Sequence, residues 1–292
     1  MPLELRNMET EPPIDKLKLA LVGAEQNGKS RLAATARKPV LFHDFDNKSE
    51  SLRGLPGVFV ISYVDPQWPM QPTAAQDWLT IVSKLEESLD LGNLGFTSAK
   101  GVNVRTNVID SITTLGEAVS NYAMYNSTDL RREVKFGGHK VFIQASWDAW
   151  RAEMLEVRNN LLRLMALPTD TIITLHETAE ETPDSTPEKK KFTGKIDVYP
   201  SRYRMLLKYF PEIWRVKLTQ SVVNNRSAIT PKVFPLPTYE FDCGTTLLLD
   251  PQEEPNIEVM LAKHEQRLRM KSPAPHAAKQ IEESLVVKAL TK

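Results

Sequence analysis

KLKLALVGAEQNGKS, residues 16–30, is the stretch that decides the fold. Lys16 to Val22 alternates and then runs apolar, as a buried strand does. Gly23 and a polar loop follow, and Ser30 to Ala36 has the composition of a helix. The eight residues GAEQNGKS, Gly23 to Ser30, fit the pattern G-x-x-x-x-G-K-[ST]. They lie where that pattern belongs, between a strand and a helix. Gly23 and Gly28 permit backbone conformations that aim successive amide N–H groups at phosphate oxygens. The start of the helix adds the positive end of its dipole. Lys29 is placed to reach the β- and γ-phosphates, and Ser30 to give its hydroxyl to Mg²⁺. The phosphate-binding set is therefore Gly23, Ala24, Glu25, Gln26, Asn27, Gly28, Lys29, Ser30 and the adjoining Arg31. The competing reading, a turn that happens to hold two glycines and a lysine, does not account for the strand before and the helix after.

A phosphate loop needs a second element, an apolar strand ending in a carboxylate that positions the metal. Asn103 to Ile109 is strand-like and ends at Asp110. Asp110 is thus the second candidate metal residue beside Ser30, although an Asp there could equally cap the helix that begins after it.

Outward from these motifs the chain alternates strand and helix patterns. Pro39–Phe45, Gly57–Tyr63 and Thr171–Leu175 are short apolar strands, and Thr73–Leu91, Ile112–Tyr125 and 147–167 carry helical spacing. This alternation predicts an α/β fold with a mostly parallel central sheet and helices on both faces. After His176 the pattern turns irregular and strand-rich, with candidates at Trp214–Leu218 and Thr245–Leu249, so a β-rich C-terminal extension is expected. Residues 1–15 form a loose leader and 16–250 the folded domain. Residues 251–292 form a charged tail, helical or partly disordered. Asn126–Lys140 is polar and basic, Glu177–Lys195 is rich in Pro, Thr and charge with Lys189, Lys190, Lys191 and Lys195 offset by acids, and both are expected to be loops.

The 292 residues carry 37 Lys+Arg and 37 Asp+Glu, a formal charge of zero, which excludes coating of nucleic acid by bulk charge but not a local basic patch. One cysteine, Cys243, excludes an internal disulfide framework. It fits a small buried hydrophobe. No apolar run approaches the roughly 18–20 residues that span a bilayer. The N-terminus lacks the basic start and apolar stretch of a signal peptide. The expected location is the cytoplasm.

LALVGAEQNGKS, PVLFHDFDNKSESLRG, NVIDSITTLGEAV and TIITLHETAEE resemble, in that order, the phage P-loop ATPases of the AAA/RecA-like class, including the Sak-type single-strand annealing ATPases. The likeness spans roughly residues 16–245. It implies a RecA-like P-loop NTPase that uses ATP and Mg²⁺, works as a homo-oligomer on single-stranded DNA and meets phage recombination proteins. It also implies roles. The family's water-activating Glu falls on Asp46, one methylene shorter, with Glu50 close downstream as a substitute. His176 takes the place of a polar residue that senses the γ-phosphate. The catalytic set is then Lys29, Asp46 and His176. The loops Asn126–Lys140 and Glu177–Lys195, with Phe136 and Phe192, take the place of DNA-contacting loops. A basic residue offered to a neighbouring subunit could be Lys195, Arg202, Arg204, Arg215 or Arg226. Simpler readings stand beside these: strand-end acids in a turn with Asn47, a polar cap at His176, and solvated charge runs. Two other functions stay open. One is a nucleotide-dependent interaction or assembly protein without DNA. The other is a phosphate loop that binds nucleotide without turning it over.

Overall fold

The computed structural model describes residues 15–65, 71–136, 139–181, 192–199, 201–223, 226–238 and 241–271. The leader expected over 1–15 and the end of the tail, 272–292, lie almost wholly outside these residues.

The first half is a wound α/β unit. Strand β1 (Lys18–Gly23) leads into α1 (Lys29–Ala33), and β2 (Val40–Asp44) and β3 (Val58–Ser62) precede α2 (Ala74–Glu87). Strand β4 (Thr106–Asp110) then feeds α3 (Ile112–Asn126). A two-stranded hairpin, β5 (Arg131–Phe136) with β6 (His139–Ala145), leads to α4 (Trp147–Ala166). The second half holds β7 (Asp170–Glu181), β8 (Phe192–Tyr199), β9 (Glu212–Val223), β10 (Arg226–Phe234) and α5 (Ile257–Lys271).

The main sheet runs β10-β9-β1-β7-β4-β2-β3, with β8 added on β7. From β9 to β3 every pairing is parallel; only β10 on β9 and β8 on β7 are antiparallel. Strand β7 therefore stands between β1 and β4, and the C-terminal ends of β1, β7, β4 and β2 share one edge. Both faces are covered, which is why β1 and β2 read as continuous apolar runs. Leu19, Leu21, Phe42, Val108, Ile172 and Trp214 pack against α1 and α5. Ala20, Val22, Leu41, Ile109, Ile173 and Leu175 pack beneath α2, α3 and α4. At the opposite edge, buried Asp170 accepts two hydrogen bonds from Arg37, at 2.7 and 2.5 Å, and one from the Leu17 amide at 2.8 Å. That cluster ties the starts of β1 and β7 to the segment after α1.

Three expectations need correction. The stretch expected as a loop over Asn126–Lys140 is largely the β5–β6 hairpin. Glu177–Lys195 begins as the projecting end of β7, and its far end lies in β8, while Lys189, Lys190 and Lys191 lie outside the described residues. Both hairpins are rich in charged residues, so polarity masks the pairing. Thr245–Leu249 is no strand. Buried Glu212 accepts from the Thr245 hydroxyl (2.5 Å), the Thr246 amide (2.9 Å) and the Thr246 hydroxyl (2.6 Å), which curls that segment. Leu247 and Leu249 enter the core one at a time from irregular backbone. Beyond it, α5 folds back onto the sheet through Ile257, Met260 and Leu261. Among the described residues no helix is long and apolar enough to cross a membrane.

Candidate functional site

The phosphate loop is built by three constraints. Gln26 and Gly28 are left-handed, with φ of 60° and 85°, and Gly28 opens α1 as its N-cap. A Cβ is disfavoured at the second position, so glycine is required there. Gly23 is glycine for a different reason from the one expected. Its φ is ordinary, but a Cβ would meet the Val216 carbonyl oxygen of β9 at 2.5 Å. Asn27 Nδ2 donates to that same carbonyl at 3.1 Å. Helix α1 is only Lys29–Ala33, shorter than expected. The N–H groups of its first turn have no intrahelical acceptors.

Lys29 is buried and its ammonium donates to the carbonyls of Gly23 and Ala24, both at 2.7 Å. Burial pulls its pKa below the ordinary lysine value, against the opposing pull of Asp110, Glu177, Asp46 and Glu25. A desolvated ammonium interacts more strongly with an entering phosphate than a hydrated one does. Ala24, Glu25 and Gln26 are exposed on the loop's rim, and Arg31 points outward from α1.

Across β7, Asp110 closes the site. Ser30 Oγ donates to Asp110 Oδ2 at 2.5 Å, and Thr174 Oγ1 of β7 donates to Oδ1 at 2.5 Å. The helix cap that Asp110 could have supplied belongs to Ser111, whose hydroxyl accepts from the Thr114 amide. The Asp110–Ser111 peptide is cis. Burial raises the Asp110 carboxyl above its usual range, the hydroxyls of Ser30 and Thr174 oppose this, and the nearby Asp46 and Asp44 charges reinforce it.

Asp46 is not a solvated turn acid. Its side chain is 12% exposed and lies on the start of α3. Ser111 Oγ donates to Asp46 Oδ1 at 2.9 Å, and the Thr114 hydroxyl donates to the same oxygen. The other oxygen stands 3.7 Å from His176 Nε2. Burial alone would raise this carboxyl, but His176, Thr114 and Ser111 outweigh it and hold it well below the usual carboxylate range. His176 pairs in register with Gly23, so the sensor candidate flanks the phosphate loop, and its buried Nδ1 has no hydrogen-bond partner among the described residues. Glu50 is not brought to the site. It sits in a short 3₁₀ turn, exposed, with Arg53 at 2.9 Å. Arg215 is buried and ion-paired within the chain to Glu177 at 2.8 Å, which removes it from the residues a neighbouring subunit could receive. Arg204 is exposed, while the side chains of Lys195, Arg202 and Arg226 lie outside the described ones.

Ser111, Thr114 and Thr174 are the site residues that sequence reasoning missed. The first two stand at the cap and third position of a helix, a spacing with its own signature. Thr174 is one polar residue inside the apolar run TIITL.

The donor set fits Mg²⁺. A hydroxyl and a carboxylate, both hard oxygen ligands, meet at 2.5 Å beside the phosphate loop. Among the described residues no group of three or more His, Cys, Asp or Glu is arranged to hold a metal by itself. That suits an ion that takes one or two protein ligands and completes its shell with phosphate and water.

A phosphate loop facing a carboxylate-tipped strand, with one strand between them in a mostly parallel sheet, defines a P-loop NTPase of RecA-like α/β fold. Residues 15–254 match the AAA domain family, and the chain belongs to it. Among solved structures, the chain is similar to a KaiC-like protein from the hyperthermophilic archaeon Pyrococcus horikoshii OT3. The identity is 12% and the TM-score 0.39, over 82% of this chain and 93% of that one. No curated protein matches the chain.

Proposed function

We propose that this protein binds ATP with Mg²⁺, hydrolyses it, and acts as a homo-oligomer on single-stranded DNA in phage recombination or annealing. The observation that carries the nucleotide part is the junction across β7, where Ser30 meets Asp110 at 2.5 Å while Lys29 lies desolvated in the same loop. The loop amides and Lys29 hold the phosphates, and Ser30 and Asp110 hold the metal. Bound Mg²⁺ supplies neutralisation of phosphate charge at that point. Asp46, kept ionised by His176, Thr114 and Ser111, orients the attacking water. Its shorter reach is offset by its fixed orientation on α3. His176, between Asp46 and the phosphate loop, reads the γ-phosphate and relays that state along β7 to the hairpin that continues from it. Catalysis is positioning and charge stabilisation, as phosphoryl transfer requires.

Two features support the DNA part. Hairpin β7–β8 continues directly from the site strand, and Trp147, 81% exposed, packs edge-on against Trp150 where β5–β6 joins α4. An exposed aromatic beside the basic sequence of β5–β6 suits base stacking with phosphate tracking. The neutral net charge favours the second reading, a nucleotide-driven assembly protein without DNA. Phosphate release measured with and without single-stranded DNA, at several salt concentrations, separates the two. Stimulation that fades steeply with salt supports DNA action, and an unstimulated rate with no DNA binding at low salt refutes it. A Lys29→Met variant that binds ATP as the wild type does would refute the nucleotide assignment itself.

A further inference from the structure

The phosphate loop is fastened to β9 and β10 as well as to its own helix. Gly23 abuts the Val216 carbonyl, Asn27 bonds to it, and Pro231 of β10 lies 3.5 Å from the position of a Cβ on Gly28. Strand alternation gives what lies beyond these contacts. Trp214, Val216 and Val233 are buried on the face that carries α1. Two residues further along β9, Leu218 falls on that same face. Counting back along β10, so do Pro231 and Ile229.

Val22, the last residue of β1 paired with β9, lies opposite Arg215. Leu218 is therefore carried roughly 10 Å past that point, beyond the sheet edge where the phosphate loop begins. There Leu218 is 47% and Ile229 68% exposed. The two flanks of the loop differ in chemistry. Toward β7, β4 and β2 stand the carboxylates of Glu177, Asp110 and Asp46; toward β9 and β10, on the α1 face, stands this apolar patch.

We infer that Leu218, Ile229 and Pro231 form the shelf on which the base of the bound nucleotide rests. The inference depends on the nucleotide reading above and deepens it. Phosphates held in the loop leave the ribose and base outside it, with one acidic flank and one apolar flank available. A neutral aromatic ring gains by covering the apolar one and would lose hydration against the acidic one. The shelf also explains why an edge hairpin retains two exposed branched aliphatic side chains.

The test compares ATP with inorganic tripolyphosphate, which presents the phosphate chain without a base, by calorimetric titration in Mg²⁺. The variants are Leu218→Thr/Ile229→Thr, which puts a residue of good strand propensity at both positions, and Lys29→Met. The wild type should bind ATP more tightly than tripolyphosphate. The double variant should lose about tenfold in ATP affinity and keep its tripolyphosphate affinity. Lys29→Met should lose both. Unchanged ATP affinity in the double variant overturns the shelf. So does equal wild-type affinity for the two ligands, because the base then contributes nothing. If the double variant instead loses self-association in sedimentation while binding ATP normally, the patch belongs to a second copy and the inference fails. A wild type that binds neither ligand refutes the nucleotide reading beneath it.

Discussion

His43 offers a test in which the fold itself sets the magnitude. It lies in β2, fully buried, with Nδ1 at 3.0 Å from the Tyr63 hydroxyl and Nε2 at 3.3 Å from Asn107 Oδ1. The amide oxygen only accepts, so Nε2 carries the proton and Nδ1 accepts from Tyr63. Burial lowers the folded-state pKa from an ordinary 6.5 to about 4, with the Asn107 hydrogen bond opposing it. As pH falls through 6.5 the unfolded chain takes a proton that the folded chain refuses until about pH 4. The unfolded state therefore binds more protons in that window, and stability falls as pH falls, by up to about 1.4 kcal/mol per pH unit. Above pH 6.5 the contribution is fully present. By pH 4.5 the loss amounts to about 2.5 kcal/mol, a sizeable part of a typical domain's stability. Urea denaturation of the wild type and His43→Gln at pH 7.5, 6.5, 5.5 and 4.5 isolates this contribution, because every other titrating group is common to both chains. The variant should be less stable at pH 7.5, and the gap should narrow by about 2–3 kcal/mol by pH 4.5. Parallel stability profiles across that window, with unchanged m-values, would refute the reasoning. So would an imidazole resonance in the folded protein that titrates near 6.5.

Three further outcomes follow from particular contacts. Asp46→Asn keeps the size of the side chain and removes the charge that would orient the attacking water, so phosphate release should fall by about 100-fold while ATP affinity, read by titration, changes little. Gly116→Ala would ordinarily stabilise a helix by about 1 kcal/mol. Here the new Cβ would lie 1.5 Å from the hydroxyl of buried Tyr203 and 2.7 Å from a carboxylate oxygen of buried Glu153. Denaturation midpoints should instead show a loss of about 2 kcal/mol, because Tyr203 donates to Glu153 and has no room to withdraw. Arg37→Ala strips the partner from buried Asp170 and should lower unfolding stability at pH 7 by about 3 kcal/mol in the same assay.

Local physics explains which features could be read from the chain. The phosphate loop could, because its geometry is set within eight residues that must include a left-handed glycine at position 28. The parallel strands could, because burial on both faces turns each into an apolar run. Asp110 could, since it ends such a run. What escaped depends on residues distant in sequence. Gly23 is required by Val216, 193 residues away, and nothing near Gly23 indicates it. The apolar run at Thr245–Leu249 mimics a strand because its hydrophobic content is right, yet Glu212 captures its two threonines and prevents extension. The β5–β6 hairpin carried a usable sign, a Gly-Gly pair between alternating segments, which its high charge obscured.

The electrostatics of the sheet edge set the two acids apart without reference to any relative. Asp110 ends β4 and Asp46 lies two residues beyond the end of neighbouring β2, and both lose hydration on folding. Were desolvation the only influence, both would rise together and neither would be distinguished. Asp46 instead lies against the cap of α3, where two hydroxyls and His176 reverse the penalty and keep it ionised. Asp110 receives hydroxyls as well, from Ser30 and Thr174, yet burial and the nearby negative charges of Asp46 and Asp44 leave it raised. It is therefore the carboxylate whose ionised form a cation would stabilise most. In the reaction proposed above, the ionised Asp46 would orient the attacking water and Asp110 would receive the positive charge of the metal. The hydroxyl of Ser30, held at 2.5 Å from Asp110, connects that second role to the phosphate loop.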